Sequence, residues 1–306
     1  SFSERQVFSL LPGKGTLKSE HKTKKVKGIS VLKTSVLFGA NASGKSNLIK
    51  AIDFGKKLVL KGTKSENRID FQNFRLDLET ENKDSRIEYE IQHNGKNYAY
   101  GFVFNNEYIK EEWLFEISNK SEIKIFERNI DKKEIFDLSN IIKNIKSVEE
   151  QQVLKFTAKL TPNNQLFLNE IRTRKVKENV SKIDDLLGVI DWFQNSLKVI
   201  FPEDKYNEGL KFELKQDEEL LTTFEQFLKY FDTGINGVCL EKVDFESVDV
   251  PKTILNKIKE DLLSKKSENI RASILSNQNT TYFLSVKDND LVFEKFMTKH
   301  TVKGRN

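Results

Sequence analysis

The feature that most narrows what this chain can fold into is one eight-residue run, Gly39-Ala-Asn-Ala-Ser-Gly44-Lys45-Ser46. It fits G-x-x-x-x-G-K-[ST], the pattern of a loop that wraps a polyphosphate. The flanks agree. A β-favouring run, Ser35-Val-Leu-Phe38, leads into Gly39, and a helical pattern leaves Ser46 with Leu48, Ala51, Ile52, Gly55, Leu58 and Val59 on one face. Strand, glycine loop and helix is the order this chemistry needs. Backbone N–H groups from Ala40 to Ser46, through Asn41, Ala42 and Ser43, converge on phosphate oxygens. Gly39 and Gly44 allow conformations and close approaches that a Cβ forbids. The following helix adds unpaired N–H groups and the positive end of its dipole. Lys45 brings a point charge toward the β- and γ-phosphates and is the candidate catalytic residue, while Ser46 is the expected hydroxyl ligand of Mg²⁺.

Composition removes several other classes. Lys plus Arg number 51 against 46 Asp plus Glu, a net charge of +5 over 306 residues, which is no polybasic surface but leaves room for a local patch. With 23 Phe residues the chain has ample material for a core and does not read as disordered. A single cysteine, Cys239, excludes an intramolecular disulfide framework and any multi-cysteine zinc site. No run approaches the roughly 18–20 apolar residues that cross a bilayer, and no signal-peptide pattern opens the chain, so a soluble, cytoplasmic protein is expected. Ser1 stands where a Met would start a chain, which reads as a trimmed or processed beginning. His21, His93 and His300 have no ligand-like spacing, and His93, beside Asn94-Gly95, is expected to be exposed.

Three textures follow one another. To residue 128, the glycine loop and its helix apart, the chain reads mostly as strands. Ile87, Tyr89 and Ile91 alternate with polar residues, Asn94-Gly95 is a two-residue hairpin turn, Tyr98–Phe104 returns, Asn105-Asn106 turns again, and Tyr108–Ile117 and Ser121–Glu127 continue an antiparallel meander. Residues 129–268 read as a helical insertion. In it Ile183, Leu186, Leu187, Ile190, Phe193, Leu197 and Ile200 make one helical stripe stopped by Pro202, and Leu220 to Phe231 make another closed by Gly234. Residues 269–306 read as a β return, with Thr281–Val286 and Leu291–Phe296 flanking a hairpin turn.

Asn41 within the loop and Asn47 after it give Gly-x-Asn-x-x-Gly-Lys-Ser-Asn, which resembles the loop of ABC-type ATPases, the class of the SMC, Rad50, RecF and OLD proteins. Residues 36–51 more closely resemble prokaryotic AAA-family ATP-binding proteins of abortive-infection and other anti-phage systems. Phe74-Arg-Leu-Asp77, Tyr98-Ala-Tyr-Gly-Phe102 and the stretch from Asp191-Trp-Phe193 to Ile200-Phe-Pro202 are similar to segments of that family. The resemblance implies an α/β fold, a P-loop ABC-type ATPase head with an antiparallel β-meander lobe and a helical insertion. It implies ATP and Mg²⁺ as ligands, a second head as partner in a homodimer or higher oligomer, and an effector such as a nuclease. It also implies a Ser/Gly signature and an acidic pair, neither of which is found; Leu187-Gly-Val-Ile-Asp191 is the nearest apolar run, and it lies in a helical stripe. The expectation is therefore that the C-terminal part of the head lies outside these residues and that this chain binds nucleotide but hydrolyses it poorly. Gln72, before Phe74, is the family-implied sensor of the γ-phosphate or Mg²⁺, or else a solvated amide. The alternatives are a DNA-repair head resembling RecF or Rad50, with DNA as a partner, and a non-hydrolysing nucleotide-binding scaffold.

Two basic runs remain. His21-Lys-Thr-Lys-Lys-Val-Lys27 either lines a DNA, RNA or phosphate path or is an exposed connector, and the connector is preferred because charge runs are usually solvated. Arg172-Thr-Arg-Lys-Val-Lys177 invites the same two readings.

Overall fold

The computed structural model describes residues 2–15, 18–64, 66–71, 83–202, 204, 210, 213–214, 217–244, 252–264, 272–276, 281–287 and 290–300. The chain divides into two compact units, residues 1–199 and 200–306. The boundaries expected at 128/129 and 268/269 each fall inside one of them.

The first unit is organised by a five-stranded antiparallel meander: β1 (Ser85–His93), β2 (Lys96–Phe104), β3 (Ile109–Ile117), β4 (Glu122–Asn129) and β5 (Phe136–Asp137), side by side in chain order. Asn94 and Gly95 turn between β1 and β2 with φ of 47° and 75°. Positive φ at both central residues is the hairpin geometry whose twist matches the strands. At the next turn the Asn105 side chain accepts the backbone N–H groups of Glu107 and Tyr108, at 2.9 and 3.0 Å. Strand β2 is buried over most of its length because both faces are covered. On one face Tyr98, Tyr100 and Phe102 enter the main core. On the other, the Trp113 indole lies over Gly101, and the Arg86 guanidinium sits 4.3 Å from the Trp113 ring centre.

Helices α1 (Lys45–Lys61), α2 (Ser139–Ile142), α3 (Val148–Lys159), α4 (Phe167–Thr173) and α5 (Asp184–Asp191) share that core with the sheet. Phe193 meets Tyr89 edge-on at 5.0 Å between ring centres, and Phe167 meets Phe126 at 5.2 Å. Such pairs add to the area they bury. Helix α5 continues as a single π turn, Trp192–Ser196, and then ends. The stripe expected to reach Ile200 thus stops early: Leu197 is already extended, with φ of −75° and ψ of 110°, and its carbonyl accepts from the Lys56 ammonium at 2.7 Å.

Ser35 to Phe38 do not form a strand. The stretch 34–40 has no regular secondary structure and no ladder partner among the described residues, and Val36, Leu37 and Phe38 are exposed. A β-favouring sequence becomes a strand only when a neighbour supplies hydrogen bonds, and no described segment does so here.

The second unit contains α6 (Glu218–Tyr230), β6 (Ile235–Val243), α7 (Lys252–Ser264), β7 (Ala272–Ser276), β8 (Thr281–Lys287) and β9 (Asp290–His300). Its antiparallel sheet has the order β6-β9-β8-β7. The expected hairpin is β8–β9, closing at Lys287↔Asp290. Strand β6 lies in a stretch read as helical; eight of its residues pair with β9, a partner some sixty residues away that no local period reveals. Leu255, Tyr282, Leu284 and Phe293 make its core. No described helix of the chain is long and apolar enough to cross a membrane.

Candidate functional site: the glycine loop and the helix it opens

Residues 39–44 form an exposed loop that turns directly into α1 at Lys45. Ala42 and Gly44 both have left-handed backbones, with φ of 64° and 92°. For Ala42 that conformation costs about 1–2 kcal/mol, a strain of the kind found where a backbone is shaped for a ligand. Gly44 is required twice over: by its φ, and because a Cβ would lie 2.7 Å from the Phe2 ring packed against it. Gly39 has the same sort of limit, since a Cβ would come within 2.6 Å of Ser43 Oγ.

Two backbone hydrogen bonds shape the turn, Ser43 N–H to the Ala40 carbonyl at 3.2 Å and Leu48 N–H to the Gly44 carbonyl at 3.1 Å. The first intrahelical acceptor is thus Gly44, and the N–H groups of Gly44, Lys45, Ser46 and Asn47 have no backbone acceptor. Together with the helix dipole these donors suit an anion. The Lys45 ammonium bends back to donate to the Gly39 and Ala40 carbonyls, both at 2.7 Å. A phosphate oxygen is a stronger, charged acceptor than either carbonyl, so the ammonium has reason to exchange them for it. The donor set fits a polyphosphate, and the exposed Ser46 hydroxyl at the helix start is the group that would coordinate its Mg²⁺.

What holds this loop in place was invisible in the sequence. The Tyr89 hydroxyl donates to the Ile52 carbonyl at 3.0 Å, midway along α1. At the far end of α1, residues 164–172 grip the chain. Asn169 donates to the Val59 carbonyl at 2.8 Å, Arg172 to the Leu60 carbonyl at 2.7 Å, and Gln165 accepts Thr63 N–H at 2.9 Å. Asn164 donates to the Lys64 and Asn67 carbonyls at 3.0 and 2.8 Å. Gly62, with φ of 65°, is needed because a Cβ would drive into Asn169 and Gln165. Arg172 thus closes a helix end, and Arg174 pairs with Glu170 at 2.6 Å.

The gripping segment is itself fixed by a buried carboxylate. Glu112, fully buried on β3, accepts the N–H groups of Phe167 and Leu168 at 2.6 and 3.1 Å and the Tyr100 hydroxyl at 2.9 Å. It caps the N-terminus of α4 from the sheet. Desolvation pushes its pKa up, against the opposing pull of Arg128 and the three donors. Arg128, opposite Glu112 in the register, donates to the carbonyls of Gln165, Pro162 and Asn163. A buried Glu and Arg in mid-strand carry no local signal that they serve a helix start and the loop before it, 34 to 56 residues on.

Of the other sequence candidates, Gln72 and Phe74–Asp77 lie outside the described residues. His93 is not exposed: its side chain is 13% accessible and Nε2 lies 2.8 Å from Asp191 Oδ2. Asp191 also accepts from Asn195 at 2.6 Å, which, with His93, holds its carboxyl below the usual range. Among the described residues no group of three or more His, Cys, Asp or Glu is placed to hold a metal.

No curated protein and no solved structure matches the chain. Residues 35–173, from the segment before the loop to the last residue of the helix that grips α1, match the family model described as "AAA domain, putative AbiEii toxin, Type IV TA system", a match that supports an AAA-family, nucleotide-binding ATPase domain over that stretch.

Proposed function

We propose that this chain is the ATP- and Mg²⁺-binding subunit of an ABC-type ATPase of the SMC-, RecF- and OLD-like class, working in the cytoplasm in prokaryotic anti-phage defence. Two heads close on ATP, and that closure drives a partner effector such as a nuclease. The observation that carries the nucleotide part is the loop itself: four unpaired N–H groups at the head of α1, with the Lys45 ammonium 2.7 Å from the carbonyls of its own loop. The loop asparagines Asn41 and Asn47, and a meander following α1, support the ABC-type subclass. ATP, when bound, supplies the phosphoanhydride to be broken. The residues of this chain bind and orient it: Lys45 and the loop amides hold the phosphates, and Ser46 holds the metal.

A second reading, a nucleotide-binding scaffold, is favoured by one observation. Asp191, the nearest acidic candidate in the sequence, is committed to His93 and Asn195 rather than available to activate water. On either reading this chain alone binds ATP and turns it over slowly. Sedimentation velocity separates them. ATP with Mg²⁺ is expected to convert monomer to dimer, whereas unchanged sedimentation at saturating ATP defeats head pairing and leaves the scaffold.

A further inference from the structure

The basic run at residues 21–27 is no loose connector. Residues 18–33 form a hairpin with bridges Lys22↔Leu32 and Val26↔Ile29, turning at Lys27-Gly28 with φ of 48° and 86°. It is pinned to the meander. Asn97, buried on β2, donates to the Val26 carbonyl at 2.9 Å. Gln92 on β1 donates to the Ile29 carbonyl at 3.3 Å and accepts from Thr23 Oγ1 at 3.1 Å. Asn119 N–H donates to the Lys27 carbonyl at 3.3 Å, and the Asn119 side chain fills the space beside Gly28.

This hairpin carries six lysines and one glutamate, a net charge equal to the +5 of the whole chain, so the other residues balance to zero. Only part of that charge is answered. Lys27 pairs with Glu116, and Lys22 donates to the Gly15 carbonyl. Lys18, Lys24, Lys25 and Lys33 are exposed and have no ion pair among the described residues, as is true of Lys120 in the turn against the hairpin tip. A cleft of about 400 Å³ beside the tip is lined by Lys27, Lys120, Glu116 and the 118–121 turn, with Ile117 and Ile123 as its apolar wall. Concentrating like charge on one rigid arm costs self-repulsion, which a polyanion relieves. No Phe, Tyr or Trp stands between 18 and 33, so the arm lacks the large aromatic faces on which unpaired bases stack. At about 3.3 Å per residue, one strand of the arm runs past several phosphates of a duplex.

From these observations we propose that the 18–33 hairpin, with Lys120, grips the phosphate backbone of a nucleic-acid duplex without reading its sequence. The contact is independent of nucleotide at the glycine loop. The test is binding of the full chain, without ATP, to a fluorescent 30-base-pair duplex (DNA and RNA versions) across a salt series. Four or five phosphate contacts give a slope of about −4 in log K against log salt. Replacing Lys24→Ala and Lys25→Ala together should make that slope shallower by about 2 and weaken binding on the order of tenfold per lysine at 0.1 M salt. Lys133→Ala with Lys146→Ala, a charge-matched exposed pair elsewhere in the unit, should change affinity by less than about threefold. Comparable binding of both duplexes, or a preference for one, supports the proposal, and the preference identifies the source. Four results overturn it: no duplex binding at 50 mM salt, equal losses from the two lysine pairs, tighter binding to single strands than to duplex, or a Lys24/Lys25 effect on vesicles of anionic lipid but not on duplex. Both hairpin positions are exposed, so an unchanged urea midpoint confirms that the variants are folded.

Discussion

Tyr89 on β1 places its hydroxyl in the notch that Gly55 leaves on α1, where it donates to the Ile52 carbonyl at 3.0 Å. The helix that carries the glycine loop is thereby keyed to the meander at its midpoint. Burial, with the Asp53 carboxylate nearby, keeps the Tyr89 phenol protonated well above the usual range, so it remains a donor at any physiological pH.

A methyl group at position 55 cannot share that notch. Gly55→Ala should lower stability by about 1–3 kcal/mol through overpacking, read as a shift in the urea midpoint. Combined with Tyr89→Phe, the loss should be smaller than the sum of the two single losses, because both changes act on one contact. Strict additivity would show that the notch does not key the helix.

Glu112 ties α4 to the sheet through two backbone N–H groups and the Tyr100 hydroxyl. Removing it leaves those three donors without their buried acceptor and takes a negative charge from beside the Arg128 guanidinium. Glu112→Ala should cost about 3–5 kcal/mol. Since α4 grips the end of α1, nucleotide affinity should fall in the variant even under conditions where it is folded. Urea titration and ATP binding measure the two effects separately.

Asp137 is held down to about 2 by hydrogen bonds from Lys124 and from the Ser139 hydroxyl and N–H. The unfolded chain titrates at an ordinary carboxylate value of about 4, so between about pH 4 and pH 2 it binds more protons than the native state. Stability contributed by Asp137 is complete above that window and is lost as the pH falls through it. Asp137→Asn should flatten this part of the acid-unfolding profile while leaving stability above pH 5 nearly independent of pH at this site. A profile identical to wild type would contradict the assignment.

The strand meander was written in the sequence because alternation and Asn94-Gly95 are local signals, and all four long strands came out within a few residues of their expected limits. The glycine loop was legible for the same reason. The features that failed depend on distant partners. Val36–Phe38 has strand-forming residues but no described neighbour to pair with, and β6 is a strand only because β9 reaches it. Leu197 leaves the helical stripe where its carbonyl meets Lys56, a residue some 140 positions earlier. The supports of α1 come from strand β1 (Tyr89), helix α4 (Asn169 and Arg172) and the loop before α4 (Gln165), all remote in sequence, and none carries a local sign of that role. The basic run showed its composition but not that Asn97, Gln92 and Asn119 hold it as a hairpin.

The exposed Ser46 hydroxyl makes no hydrogen bond among the described residues, so Ser46→Ala should leave stability within about 0.5 kcal/mol of wild type. ATP binding in EDTA should be retained, while the gain in affinity on adding Mg²⁺ should largely disappear. Calorimetric titration with and without Mg²⁺ gives both readings. A full Mg²⁺ response in the variant would place the metal elsewhere.

The central claim is that the loop at residues 39–46 receives the phosphates of a nucleotide, with Lys45 releasing its own carbonyls to do so. Its most direct measurement is the affinity of the full chain for ATP with Mg²⁺, compared with that of Lys45→Ala at matched folding stability. The account predicts saturable binding by the wild type and a loss of at least about tenfold in the variant, the worth of one charge-assisted contact. Equal affinity in the two proteins would contradict it.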